Sequence, residues 1–338
     1  MNEPLDLRPD PALLPEHLRV YLESPAGSDG VFRNPWGAEN DKGLLDVFKW
    51  KSTPNPWGPA KRDRPAAQVE PDAPGSFDAL PKGGRVSWAG HASALVEVDG
   101  VTVLIDPVFG RVFPFIRRLA PAAWSVATLP HVDAVLVSHG HYDHLDAGTL
   151  ARLAHRFPEV LFVTPRGLAR ALPRPCRRRV IELSWWQATR LRGVDLCLVP
   201  AQHWHRRSVN DMNRALWGGW VIRGSSSVYH SGDTGFFGGF EAIGRVFPDL
   251  DLAILPIGAW APRWFMAMQH MDPDGTVEAF RLLGARECLA MHWGTFDLTD
   301  EPADEGPREL RAAVERAGTA IEPYRVVAHG ASLSLNPG

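Results

Sequence analysis

Ser138-His139-Gly140-His141-Tyr142-Asp143-His144 closes the short apolar run that begins at Val132. Three histidines and one aspartate at four fixed places arise by chance on the order of once in a thousand chains of this length. Neutral imidazole and carboxylate are preferred ligands of zinc and related divalent metals. A run leaving a buried strand can turn so that His139 and His141 reach one cation while Asp143 and His144 reach a second. The plain alternative is a histidine-rich surface loop, and the residues downstream argue against it.

Those residues are His203 after Leu198-Val-Pro-Ala-Gln202, Asp233 in His230-Ser-Gly-Asp-Thr-Gly235, and His292 in Ala290-Met-His-Trp-Gly-Thr295. Each follows an apolar strand and precedes a glycine or aromatic turn, where a side chain projects from a sheet edge. Each alone reads more readily as structural. Together they complete five histidines and two aspartates, enough for two metals with an open position for water. Asp106, at the end of another strand, can orient a ligand imidazole from behind. His91 can do the same or sit in the core. His205, His230, His17, His131, His155 and His329 take the structural reading.

Working outward, Val86–Val98 reads as one strand, Asp99-Gly100 as a hairpin turn and Val101–Ile105 as its partner. Val160–Thr164, Val194–Val199, Gly219–Arg223, Val228–Ser231, Leu252–Ile257 and Cys288–His292 read as further strands. Asp146 caps a helix running through Arg156, and Asp272 before Pro273 starts one that Gly284 stops. Pro307–Ala317 is a late helix. Hairpins first, then strands alternating with helices, give an α/β fold of two mixed sheets packed together with helices outside. Residues 1–80 differ, because twelve prolines there exclude long helices and central strands. They read as an extended arm with short helices at Pro15–Leu22 and Leu44–Trp50, packed on the domain 81–338 through Trp36, Trp50 and Trp57.

Composition narrows the function classes. The chain has 338 residues, 45% hydrophobic and 22% charged, which is ordinary for a globular protein and excludes wholesale disorder. Lys plus Arg number 36 against 39 Asp plus Glu, so nothing draws the chain generally to nucleic acid. Three scattered cysteines make neither a disulfide framework nor a cysteine zinc cluster. No signal peptide or membrane-spanning run is visible, so the expected location is cytoplasmic, with peripheral membrane attachment compatible. A homo-oligomer is equally compatible. Trp260, Trp264, Phe265 and Met266 crowd one loop and read either as core or as an apolar lip that accepts acyl chains. Arg177–Arg179 and Arg206-Arg207 read as solvated basic runs that could also help collect an anionic head group.

The HxHxDH run, followed by His, Asp and His at strand ends, resembles the metallo-β-lactamase fold superfamily over roughly residues 80–335. The resemblance implies an αββα sandwich with a binuclear metal site along one edge. Carried over, His139, His141 and His203 hold one metal, Asp143, His144 and His292 the other, and Asp233 bridges. Zinc suits these ligands, and Mn or Fe could replace it. Trp88-Ala-Gly-His-Ala-Ser93, Leu104-Ile-Asp-Pro-Val-Phe109, Pro200-Ala-Gln-His-Trp204, Gly232-Asp-Thr-Gly235 and Leu255–Met266 are similar to the N-acylphosphatidylethanolamine-hydrolysing phospholipase D family. Gln269-His270-Met-Asp-Pro273 continues the likeness. The implied substrate is a phospholipid or other phosphodiester, cleaved by metal-hydroxide attack on phosphorus, with Asp143 orienting the hydroxide. His270 would position phosphate or protonate the leaving alkoxide, or else cap the helix at Asp272. A lactonase or small-molecule phosphodiesterase on the same fold is the competing expectation.

Overall fold

The computed structural model describes residues 4–63, 81–113 and 116–335. After a two-residue strand β1 (Leu5–Asp6), the first half of the chain lays down β2 (Arg85–Gly90), β3 (Ser93–Val98), β4 (Val101–Ile105), β5 (Ala134–Leu136), β6 (Leu161–Pro165) and β7 (Val180–Leu183). These six lie side by side in chain order, antiparallel from β2 to β4 and parallel from β4 to β7. The second half repeats the plan with β8 (Gln187–Leu191), β9 (Val194–Val199), β10 (Gly219–Arg223), β11 (Ser227–His230), β12 (Leu252–Pro256), β13 (Glu287–Met291) and β14 (Tyr324–Arg325). Here the pairing is antiparallel to β11 and parallel beyond it. The chain ends change places. β1 pairs with β8 in the second sheet, and β15 (Ser332–Ser334) pairs with β2 in the first.

Side-chain alternation explains the layering. Val101, Val103, Ile105, Ala134, Leu136 and Val163 point into the core between the sheets, while Leu104, Val135, Val137 and Phe162 point the other way. The helices are α1 (Leu44–Ser52), α2 (Gly58–Asp63), α3 (Ala147–Arg156), α4 (Gly239–Val246), α5 (Arg263–Met266), α6 (Pro273–Leu283) and α7 (Glu305–Arg316). Leu150 and Leu153 of α3 cover the outer face of the first sheet. α4, α6 and α7 pack together over the second, with α6 against β12. The architecture is an αββα sandwich of two mixed sheets flanked by helices.

The predicted helix starts have visible causes. Asp146 accepts from Gly148 N and Thr149 N, and Asp272 accepts from Gly275 N. Gly284 ends α6 at φ +65°, a conformation that disfavours a side chain. One expectation fails. Val86–Val98 is two strands, because the chain reverses at His91-Ala92 with φ +109° at Gly90 and +54° at His91. The reversal also lets the His329 ring pack where a Cβ on Gly90 would stand, 3.0 Å from His329 Nδ1.

In the amino-terminal segment Leu14, Leu18, Leu22 and Phe32 are buried in the same cluster as the two sheets. Trp36 stacks on Trp185 at 5.6 Å, Trp50 Nε1 donates to Asp300 Oδ1 at 2.9 Å, and Trp57 meets Trp260 edge-on. Residues 64–80 of the expected arm lie outside the described residues. The three cysteines are buried and unpaired. Among the described residues no helix is long and apolar enough to cross a membrane.

Candidate metal centre

Parallel strands share a direction, so the loops after their C-terminal ends collect on one edge of the sandwich. Asp106 leaves β4 and Ser138–His144 follows β5. From the second sheet, His203 follows β9, Asp233 follows β11 and His292 follows β13. All seven residues of the sequence-derived ligand set meet on this edge. The ligand atoms of His139, His141, His203 and Asp233 lie within 4.8 Å of one another, as do those of His91, Asp143, His144 and His292.

The distances describe two adjoining groups. His141 Nδ1 lies 2.9 Å from His139 Nε2 and 3.2 Å from His203 Nε2. Asp233 stands between the groups. Its Oδ2 is 3.1 Å from His144 Nε2, 3.9 Å from His139 Nε2 and 4.0 Å from His203 Nε2, and its Oδ1 is 3.0 Å from His292 Nε2. Asp143 Oδ2 lies 3.8 Å from His144 Nε2 and 3.9 Å from His292 Nε2. Ligands about 2.0–2.1 Å from a tetrahedral zinc stand roughly 3.3 Å apart, so this spacing fits such an ion.

What lies behind the ligands fixes which atom faces inward. His203 Nδ1 is 3.1 Å from the Gln269 carbonyl, which can only accept, so Nδ1 carries the proton and Nε2 offers its lone pair to the cluster. Asp106 accepts from Ser138 N at 2.7 Å and Ser138 Oγ at 2.5 Å, and holds His144 Nδ1 at 2.7 Å. Ser138 Oγ also lies 3.0 Å from His139 Nδ1. Asp106 therefore braces both histidines from beneath the loop. His91 Nε2 holds Asp143 Oδ2 at 3.0 Å.

Electrostatics favour the neutral, ligand-competent imidazole at His139, His141 and His203 and the ionised carboxylate at Asp143 and Asp233, whereas His144 is held protonated until a cation displaces its proton. Burial, with neighbouring imidazoles, pushes His139 and His203 well below the usual histidine range. Burial lowers His141 and His270 to about 4 and His91 to about 3. Burial opposes charge on His144 too, but Asp233, Asp106 and Asp143 outweigh it and raise that pKa well above normal. Burial also opposes ionisation of Asp233 and Asp143, yet the surrounding histidines hold both well below the carboxylate range. At the centre His141 Nε2, His144 Nε2, His292 Nε2 and Asp233 Oδ1 are buried without a hydrogen-bond partner among the described residues. Each such atom costs about 1–3 kcal/mol unless something satisfies it. The donor set fits a divalent cation.

A cavity of ≈ 300 Å³ opens over the cluster. His141, Asp143, His203, Asp233 and His270 supply its polar surface, and Trp50, Phe113, Trp204, Met266 and Leu298 much of its apolar surface. Of the four loop residues expected at the substrate, Met266 lines this cavity. Phe265 packs on Trp50 at 4.9 Å, Trp260 meets Trp57, and Trp264 is 41% exposed outside the lining. His270 faces the cavity, Nε2 3.9 Å from Asp233 Oδ2 and Nδ1 unpartnered. As cavity residues Trp50, read only as an anchor of the amino-terminal arm, and Phe113 escaped the sequence reading, since nothing local ties them to a cluster so far along the chain. Trp204, beside His203, carried a usable signal.

Arg207 corrects an expectation. It is not a solvated charge but lies over the Tyr142 ring at 4.2 Å and donates to the Gly140 carbonyl at 3.0 Å, while Tyr142 Oη donates to the Arg207 carbonyl.

A family model described as a beta-lactamase superfamily domain matches residues 101–293. N-acyl-phosphatidylethanolamine-hydrolyzing phospholipase D 1 of Caenorhabditis elegans is 32% identical over 302 residues, 81% of this chain and 83% of that protein. An uncharacterized Mycobacterium tuberculosis protein is 35% identical over 313 residues, 88% of this chain and 81% of its own. Among solved structures, the metallo hydrolase Igni18 from Ignicoccus hospitalis superimposes with a TM-score of 0.57 at 25% identity, covering 74% of this chain and 97% of that one.

Proposed function

This chain belongs to the β-lactamase superfamily and is a metal-dependent hydrolase of that fold, and we propose that it cleaves N-acylphosphatidylethanolamine-type phospholipids to phosphatidic acid and N-acylethanolamine. The observation that carries this reading is the two-sided cavity, in which a His/Asp floor adjoins a wall of Trp50, Phe113, Trp204, Met266 and Leu298. A phosphodiester with acyl chains has both kinds of surface. A small charged diester would gain nothing from so much apolar wall.

His139, His141 and His203 would hold one divalent ion, Asp143, His144 and His292 a second, with Asp233 shared; zinc suits the set, and Mn or Fe could replace it. Such ions supply Lewis acidity, lowering the pKa of water and drawing charge from a phosphoryl oxygen. The chain's own groups do the rest. Asp143, fixed by His91, orients the attacking water and accepts its hydrogen bond. The water oxygen forms a new bond to phosphorus, and the bond from phosphorus to the N-acylethanolamine oxygen breaks. His270, beside Asp233 and neutral at rest, positions the phosphate and relays the proton released by the attacking water to the departing alkoxide. The apolar wall aligns the acyl chains and keeps bulk water away.

The test is mass spectrometry of products from the zinc-loaded protein and N-acylphosphatidylethanolamine in mixed micelles, beside a His139→Ala control. Phosphatidic acid plus N-acylethanolamine, absent with the control, is the expected result. Intact lipid from folded, metal-loaded protein would reject the phospholipase D reading, and turnover of lactones instead would replace it.

A further inference from the structure

Residues 152–179 gather positive charge on the outer side of the first sheet. They hold eight arginines and one acid, Glu159, a local charge of +7 in a protein whose net charge is -3. All eight arginines are exposed. Glu159 pairs with Arg179, and the other seven make no ion pair among the described residues. Several are held by acceptors that fix them without neutralising them. Arg156 donates to the Leu129 carbonyl at 2.9 Å, Arg170 to the Arg214 carbonyl at 2.6 Å, and Arg177 to the Leu172 and Arg170 carbonyls. Guanidinium groups ordered in this way lose little further freedom when a carboxylate arrives.

The shape of the face says what it fits. α3 and the 3₁₀ turn Arg174–Arg179 pack side by side, and Cys176 Sγ donates to the Leu150 carbonyl between them. A cleft of ≈ 110 Å³ opens at this junction. Val160, Phe162 and Pro175 supply apolar surface to it, and His155, Arg178 and Arg179 supply polar surface. An apolar side chain flanked by carboxylates matches both. α3 has 10 residues and is about 15 Å long, so about five extended residues span it. No large apolar side chain of residues 152–179 is exposed, so this segment offers neither a base-stacking platform nor a wedge for a bilayer.

We propose that this face docks an acidic polypeptide segment of a partner protein, an apolar side chain entering the cleft and its flanking carboxylates pairing with the arginines on either side. None of the eight arginines lines the metal cavity, so the contact uses none of the groups assigned to hydrolysis. The strip still ends beside the metal loop. Leu168, between Arg166 and Arg170, has its Cδ1 2.9 Å from the place of a Cβ on Gly140. A docked partner is thereby held next to the loop that carries His139 and His141.

The experiment is fluorescence anisotropy of the full-length, zinc-loaded protein with a fluorescein-labelled peptide in which three glutamates stand on each side of a central leucine. The parent should bind it at least about tenfold more tightly than the same peptide with a central serine. Binding should weaken as salt rises. Arg174→Glu/Arg178→Glu should lose about tenfold or more of that affinity, with circular dichroism and zinc content unchanged. Arg308→Glu/Arg311→Glu makes the same change of charge on α7, over the other sheet, and should bind like the parent. Failure of the parent to bind the leucine peptide overturns the proposal. Equal affinity for the leucine and serine peptides does so too, because the cleft is then unused. Equal losses in the two double variants would reduce the attraction to net charge and reject a docking face. Tighter binding of an oligothymidylate of like charge, lost in the Arg174→Glu/Arg178→Glu variant, would assign the face to nucleic acid instead.

Discussion

Gly140, inside the histidine loop, has no room for a side chain. A Cβ there would stand 2.1 Å from His205 Cε1 and 2.9 Å from Leu168 Cδ1, so only glycine lets His139 and His141 flank this position as they do. Gly140→Ala should therefore displace the loop and weaken zinc retention by at least about tenfold, measured by competition with a chromogenic chelator. Adding His205→Ala should recover much of the loss. Parent-like retention in the single variant would show that the loop tolerates the displacement. Residue types and spacing made the loop legible, because ligand chemistry needs those side chains in that order. Of the loop's partners, Asp106 was legible from its place at a strand end, but His205 and Arg207 were not. His205 and Arg207 act through contacts set by folding, and Arg207 looked like any other surface arginine.

Among elements, the amino-terminal segment carries more of the site than its proline content suggests. Asn34 Nδ2 donates to the His203 carbonyl at 3.1 Å, and Trp36 Nε1 donates to Gln202 Oε1 at 3.0 Å. Gln202 in turn donates to the Met268 carbonyl at 3.0 Å, beside the Gln269 carbonyl that orients His203. Trp36→Phe keeps a ring against Trp185 and loses only the N–H, so urea unfolding should show a loss of about 1 kcal/mol. Trp36→Ala removes the stacking as well and should cost on the order of 2–4 kcal/mol, with weaker zinc retention. Equal stability of the two variants would mean that the ring contributes nothing. Sequence served best where an element has a local cause, as at the Asp146 and Asp272 caps. It served worst where pairing alone makes the element: β1 and β15 are two and three residues long and carry no pattern of their own. Val86–Val98 was misread for a related reason, since apolar residues continue through the reversal at His91.

For the whole molecule, the candidate centre joins two sheets that each supply part of it. His139, His141, Asp143 and His144 come from the first sheet, and His203, Asp233 and His292 from the second. Any ion bound across that line is bound only by the folded sandwich. Saturating zinc, about a thousandfold above its dissociation constant, adds about 4 kcal/mol of stability. Chelation should then lower the thermal midpoint by roughly 5–10 °C, read by scanning calorimetry with and without EDTA. An unchanged midpoint would argue against ions spanning the sheets. The sandwich was legible from the strand pattern, but the crossing of the chain ends was not, because strand partners hundreds of residues apart leave no mark on either segment.

That crossing reaches into how the protein is born. The outer edge of β2 is completed only by Ser332–Ser334, made long after β2 itself. Until then the first sheet, otherwise made entirely from earlier residues, displays an unpaired strand edge. β1 precedes β2 in the chain but can pair only after β8 emerges. A nascent chain must hold this sheet unfinished from the synthesis of β2 until β15 emerges, so slowed elongation between them should select for chaperone capture, and Ser332–Ser334 act as the latch that releases it.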